Sequence, residues 1–335
     1  MSFITHSLLS LALLLALAWG LAALWIQAPG GHGLRLVWMG LWAANALACL
    51  AAVWLQPRYA TPARWVFAVA AVAAVALAAW WISLTPSNQR NWADDVARSL
   101  RGEVHGAVVT LHNVRNFDWR SDTDYTARWQ EASYDLETLQ SVDMALSYWM
   151  GPAIAHTLVS FGFADGRHLV FSVEIRKERH ESFSAVGGFF KQFERSIIAA
   201  EERDILYVRA GPRGEQVFLY PIQMPLAAMR RLFLAYVDNA NRLADSPKFY
   251  NTLTANCTTL VYDMVRPIVP GLPMDIRLIV SGYLPEYLYR HHGLDTRQPL
   301  HTLRAQADIT QRAAQAGPVA DFSARIRATA QQTTR

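Results

Sequence analysis

Ala155-His156-Thr157-Leu158-Val159-Ser160-Phe161-Gly162-Phe163, then Ala164-Asp165-Gly166, then Arg167-His168-Leu169-Val170-Phe171-Ser172-Val173-Glu174-Ile175 is the stretch that decides the fold of the larger part of this chain. Two runs rich in β-branched and aromatic residues flank an Asp-Gly pair, the strongest short-range signal for a β-hairpin. A three-residue turn centred on Asp165 sets His156 opposite Glu174 and places Ser172 diagonally on the same face. A two-residue turn would set Ile175 there instead. A histidine on a strand beside a carboxylate is what a nucleophilic side chain needs: the imidazole takes a proton, and the carboxylate holds its tautomer and steadies the imidazolium. His168 is a rival for the orienting role, and Ser160 shares the His156 face.

The matching nucleophile lies about a hundred residues on, in Leu253-Thr254-Ala255-Asn256-Cys257-Thr258-Thr259-Leu260-Val261-Tyr262-Asp263-Met264-Val265. The pattern predicts a loop feeding a helix, with Asn256 as N-cap, an apolar face at Leu260, Val261, Met264 and Val265, and a stop at Pro267. A thiol in a first turn faces unpaired N–H groups that favour thiolate. The same groups, with the Thr258 amide and Asn256, can hold an oxyanion. The only other cysteine, Cys49, sits in a hydrophobic run, so no structural disulfide is expected. A lone cysteine is ordinarily a small buried apolar residue. Here the helix start and the strand histidine favour the catalytic reading, with Cys257 as nucleophile, His156 as base, Glu174 as orienting acid and Ser172 or His168 as alternatives.

Around these two motifs the soluble part predicts an α+β domain. Val104–His112 has the pattern of a strand, Arg115–Tyr134 of loop plus strand, and Leu136–Met150 of a helix. Ile205–Arg209 and Glu215–Ile222 suggest a second hairpin, Ala227–Leu243 an amphipathic helix, and Gly271–Asp295 a further helical stretch. The Ala/Gln/Thr/Arg-rich tail from Asp308 is expected to be a loose helix or disordered.

Residues 1–86 differ entirely. Their only Asp, Glu, Lys or Arg side chains are Arg35, Arg58 and Arg64. Three apolar runs, Leu8–Ile26, Leu34–Leu55 and Trp65–Leu84, each reach the ~20 residues that span a hydrocarbon core as a helix. Tryptophans 25, 38, 54, 65, 80 and 81 fall near run ends, where aromatic belts form. The first run lacks a basic n-region and is followed at once by two more, so it is read as retained. Arg58 and Arg64 in the second loop put that loop in the cytoplasm. The N-terminus is then cytoplasmic and everything after the third span extracytoplasmic. The expected organisation is three transmembrane helices (1–86), a catalytic domain (87–300) and the polar tail (301–335).

A net charge of +4, spread along the chain, and the absence of a basic–aromatic cluster exclude a nucleic-acid partner. Walker A, GxGxxG, CxxC and HExxH motifs are missing, and no histidine has ligand-like spacing to acids or cysteine. Neither a metal nor another cofactor is expected. Gly187-Gly188-Phe189-Phe190 and Ile276–Tyr289 are apolar, aromatic stretches that suit either a core or the headgroup level of a membrane.

The His156 strand, Ser172-Val173-Glu174-Ile175-Arg176-Lys177-Glu178, and Asn256-Cys257-Thr258-Thr259, with Asn113-Val114-Arg115-Asn116-Phe117-Asp118 and Asp124-Tyr125 upstream, resemble the bacterial Lnb periplasmic-domain family over roughly residues 100–295. The resemblance implies a circularly permuted NlpC/papain-like fold, with an antiparallel sheet, the histidine strand first and an Asn-Cys helix after it. It also implies lipoprotein N-acyltransferase-like chemistry at the bacterial inner membrane, with Cys257 and His156 carrying it and a phospholipid or lipoprotein as substrate. In that family the main membrane helices follow the domain, whereas here three precede it, so the resemblance carries the chemistry further than the substrate. Three readings stand: a thiol acyltransferase with an acyl-cysteine intermediate, a membrane-tethered cysteine peptidase or amidase of cell-wall peptides, and a non-catalytic binding module.

Overall fold

The computed structural model describes residues 3–55 and 60–328. Residues 56–59, which include Arg58 of the expected cytoplasmic loop, lie outside the described residues. Two compact units emerge: Met1–Pro86 with Ser184–Gln192, and Ser87–Phe183 with Phe193–Arg335.

The first unit holds α1 (Phe3–Gln27), α2 (His32–Leu55) and α3 (Ala60–Ser83), three helices long and apolar enough to cross a membrane. Gly20 on α1 makes room for Trp42 on α2: a Cβ there would fall 2.2 Å from the indole nitrogen, which instead donates to Leu17 O. Arg35 donates to Ala28 O and Trp25 O, satisfying carbonyls that the C-terminal end of α1 leaves open. Residues 184–192, with α4 (Ala185–Phe189), belong to this unit. Gln27 donates to Phe190 O, Lys191 donates to Trp81 O while lying over its ring, and Trp19, Trp81 and Phe190 pack edge to face. Of the two stretches expected at either core or headgroup level, this one keeps company with the membrane-type helices.

The second unit is α+β. Its strands are β1 (Arg101–His105), β2 (Val108–Arg115), β3 (Asp118–Trp119), β4 (Tyr125–Thr126), β5 (Trp129–Asp135), β6 (Leu139–Tyr148), β7 (Ala155–Phe163), β8 (His168–Arg176), β9 (Glu194–Glu201) and β10 (Gln216–Pro221). The main sheet runs β1-β2-β9-β8-β7-β6-β10, with β5 added to β2. Its ladders are antiparallel except β2–β9, which touch in parallel at Arg115↔Ala200. The helices are α5 (Glu202–Ile205), α6 (Tyr207–Ala210), α7 (Leu226–Asp245), α8 (Thr259–Val265), α9 (Leu284–Arg290), α10 (Leu300–Ala307), α11 (Thr310–Ala316) and α12 (Phe322–Arg327).

Side chains alternate across a strand, so the central strands feed two cores. Phe161, Phe171, Val173 and Ile197 face α7, where Phe171 stacks on Tyr236 at 4.7 Å and Phe233 meets both phenylalanines edge on. Each such ring, fully buried, contributes about 2–3 kcal/mol. Leu158, Val170, Ile198 and Ala200 point the other way, against α5, α6, α11 and α12.

Four expectations change. Leu136–Met150 is not a helix: a short turn, Leu136–Thr138, leads into β6, which pairs with β7 on one side and β10 on the other. Two ladders outweigh the weak helix preference of its Leu, Met and Ala. Ile205–Arg209 is not a strand but part of α5 and α6, because buried Asp204 is tied to Arg115, the Phe117 amide and Trp119. Val104–His112 breaks into β1 and β2 at Gly106, whose φ of +63° a glycine adopts freely. The expected polar tail is built in as far as Arg327, with Ile309, Ala313, Phe322 and Ile326 all buried in the second core.

Candidate functional site

The Ala164-Asp165-Gly166 turn gives the register expected from a three-residue loop, with Gly166 at φ +85°. The β7–β8 ladder runs from Gly162↔His168 to Leu158↔Ser172. Beyond that pair β8 stays on β9 as far as Arg176↔Glu194, and β7 stays on β6 as far as Ala155↔Tyr148. The two strands therefore part at their open end, two residues short of His156. The same count carries on across the gap: His156 Nε2 lies 3.1 Å from Glu174 Oε1 and 2.7 Å from Ser172 Oγ. Ser172 in turn donates to Glu174 Oε1 at 2.8 Å.

Cys257 comes to the same opening. It occupies the turn just before α8, whose first residue is Thr259, so it precedes the helix rather than sitting in its first turn. The Asn256 carboxamide oxygen accepts from Thr258 N at 2.9 Å and Thr259 N at 2.8 Å, and holds that turn. The His156 imidazole and the Thr157 amide are near enough to the thiol to lower its pKa, and the sulfur in turn raises that of His156. Thr258 Oγ1 lies 3.9 Å from Sγ. Thr157 and His156 point to opposite sheet faces, so only where the ladder parts can a thiol on the α8 side meet an imidazole on the α6 side.

The electrostatics agree with this geometry. Burial disfavours the charged forms of all three groups, and in each case the partners prevail. Glu174 carries His156 up to about 9, with the Cys257 sulfur adding to the rise and Arg209 opposing it. The imidazolium, the Thr157 amide and the Thr258 hydroxyl pull Cys257 below its ordinary value of 9.0. His156, Arg209 and Ser172 hold Glu174 well below the carboxylate range. The arrangement favours a thiolate–imidazolium pair.

Several neighbours carry no legible signal in the sequence. Arg209 bonds Glu174 at 3.1 Å and Glu215 at 3.3 Å, and Ser147 donates to Glu215. Arg209 falls in the segment expected as a strand, and only the helical turn of α6 aims it here. Tyr250 lies near Cys257, and burial followed by the thiolate charge raises its pKa, keeping it protonated.

His168, the alternative orienting group, is not in this site. It stands at the turn end of the hairpin, six strand positions or about 20 Å away. There it joins Asp143 and Glu202, with ligand atoms all within 4.8 Å of one another. Sequence spacing showed no such ligand-like set. Arg327 lies between the acids, 2.6 Å from Asp143 and 2.7 Å from Glu202, and supplies the cation.

Residues 125–282 match the family model for the Lnb N-terminal periplasmic domain. The match takes in His156, Ser172, Glu174, Arg209 and Cys257, while 113–118 precede it. With its three apolar helices, the chain is a membrane protein with a periplasmic domain. No curated protein matches it, and no solved structure does.

Proposed function

We propose, from the premise that residues 125–282 belong to the Lnb N-terminal periplasmic domain family, that this chain is a thiol acyltransferase of the bacterial inner membrane, with its N-terminus cytoplasmic and its enzymatic domain periplasmic. The supporting observation is the opening of the β7–β8 ladder, where the buried thiol and imidazole shift each other toward thiolate and imidazolium.

In the first half-reaction the Cys257 thiolate attacks the carbonyl carbon of a lipid ester. The C–O bond breaks, the leaving alkoxide takes the His156 proton, and a thioester remains on sulfur. In the second, an amine attacks that thioester and gives its proton to the imidazole, the C–S bond breaks, and the thiolate returns as the amide leaves. Glu174 steadies the imidazolium throughout, and Ser172 and Arg209 hold Glu174. The Tyr250 hydroxyl can donate to the oxyanion, whereas the Thr258 and Thr259 amides, expected there, are held by Asn256 Oδ1. The membrane helices keep the enzyme where its donor is, because drawing an acyl chain out of the bilayer costs ~0.8 kcal/mol per methylene. A lipoprotein α-amine is the acceptor that the family suggests.

The test is incubation of the detergent-purified full chain with a short-chain phospholipid. A mass gain of one acyl chain on Cys257, absent in Cys257→Ser and discharged by an amine, is expected. Release of peptides from muropeptides with no acyl adduct would replace this reading with the amidase. A Cys257 no more reactive than free cysteine would leave a binding module.

A further inference from the structure

Behind Cys257 the domain contains an apolar cavity that the reaction scheme above does not use. Its volume is about 100 Å³, and its exposed wall atoms are all apolar. Val159 comes from β7, Val261 and Val265 from α8, and Leu278, Leu284 and Leu288 from the segment that closes the far side. The two wall tyrosines spend their hydroxyls on backbone, Tyr262 on Leu272 O and Tyr287 on Pro273 O. Thr157 and Thr258 also line it, their hydroxyls paired with each other at 3.0 Å. Each of these threonines directly follows a reacting residue, and Thr258 Oγ1 is 3.9 Å from Sγ. One side chain therefore separates the cavity from the sulfur.

We propose that this cavity receives the fatty acyl chain of the donor while its carbonyl is on Cys257. The assignment rests on the acyl-cysteine reading and names its substrate class. Three observations favour an acyl chain over a peptide. The wall offers no charged group and no unpaired donor or acceptor for a peptide backbone. Well-packed cores keep few voids larger than a water molecule, and an apolar cavity of ~150 Å³ binds a hydrocarbon guest. The closing segment also turns large apolar side chains outward, Met274 and Ile276 at 66 % exposure with Ile279 and Tyr283 beyond them. A bilayer-borne chain would meet such a rim first.

The experiment is Cys257 acylation by p-nitrophenyl esters from acetyl to palmitoyl, followed by mass spectrometry of the full chain in detergent. Burial predicts a rate that rises about fourfold per methylene over the first few carbons and then levels as the cavity fills. Val261→Trp and Leu288→Trp, at two half-buried wall positions, should each lower the octanoyl-to-acetyl ratio by about tenfold or more. Thermal melts identify a variant that fails to fold, in which case the other decides. Equal wild-type rates for acetyl and octanoyl, or wild-type ratios in both variants, would overturn the cavity assignment and leave the acyl-cysteine intact. No adduct with any ester would remove the acyl-cysteine reading and this assignment together.

Discussion

The two ends of the β7–β8 hairpin carry nearly the same side chains on the same sheet face. At the turn end are His168, Ser160, Asp143, Glu202 and Arg327; at the open end are His156, Ser172, Glu174, Glu215 and Arg209. In each, an arginine bridges two carboxylates and a serine donates to one of them. The difference lies in the backbone. At the turn end the ladder is closed through Gly162↔His168, and His168 spends Nδ1 on the nearby Gly166 carbonyl. At the open end the strands part, and sulfur from the opposite face reaches the imidazole. The residue types are nearly shared, so what sets the two ends apart is where the ladder stops, which leaves Cys257 beside one imidazole and not the other.

The sharpest way to break this comparison is His156→Ala. Removing the imidazole leaves the buried thiol with desolvation acting against its charge, so alkylation of Cys257 by iodoacetamide at pH 7 should fall ~10²-fold or more. In the wild type the midpoint of alkylation against pH should lie below 9.0, since the thiolate is favoured there, and in the variant it should move up. An unmoved midpoint would mean that the imidazole does not ionise the thiol.

Arg327→Met probes the other end. It leaves two buried carboxylates facing each other without their cation, which should cost about 3 kcal/mol of stability in a denaturant melt. Cys257 alkylation should not change. A variant that stays stable yet loses thiol reactivity would contradict the separation of the two ends.

Glu174→Gln and His168→Asn sharpen the comparison further. Glu174 is the main group raising His156, so its loss should bring the imidazole down from about 9 toward its ordinary 6.5. Because the protonated ring is the reactive partner of the thiolate, the alkaline limb of the acylation profile should shift to lower pH by the same amount. His168→Asn should change acylation less than about twofold, as a substitution outside the site does. An equal shift in both variants would show that His168 does share the orienting role.

Legibility follows the range of the interactions. The hairpin register was readable because a three-residue turn sets it locally, and His156, Ser172 and Glu174 followed from that count. Arg209 and Tyr250 were not readable: one is aimed by two turns of helix in a stretch with no clear period, the other by the chain's path before α8. β6 was misread because its partners lie in β7 and β10, so its preference is decided by hydrogen bonds that no local window contains. The packing of the C-terminal helices was not readable for a related reason. Few apolar residues are spread through a polar segment, and Ile309, Ala313, Phe322 and Ile326 form a face only after the sheet offers a surface for it.

Local chemistry in the chain points to three things by itself: three apolar runs with charge-free interiors long enough for a bilayer, a hairpin in which a three-residue turn pairs histidine with acid, and a cysteine in an Asn-capped turn. Tertiary structure alone decides that β7 and β8 separate before they reach His156, that the α8 side and the α6 side of the sheet communicate there, and that an apolar cavity lies one threonine behind the sulfur. The physical reason is that turns and caps are closed by neighbours within a few residues. A gap between strands exists only once each strand has found its other partner.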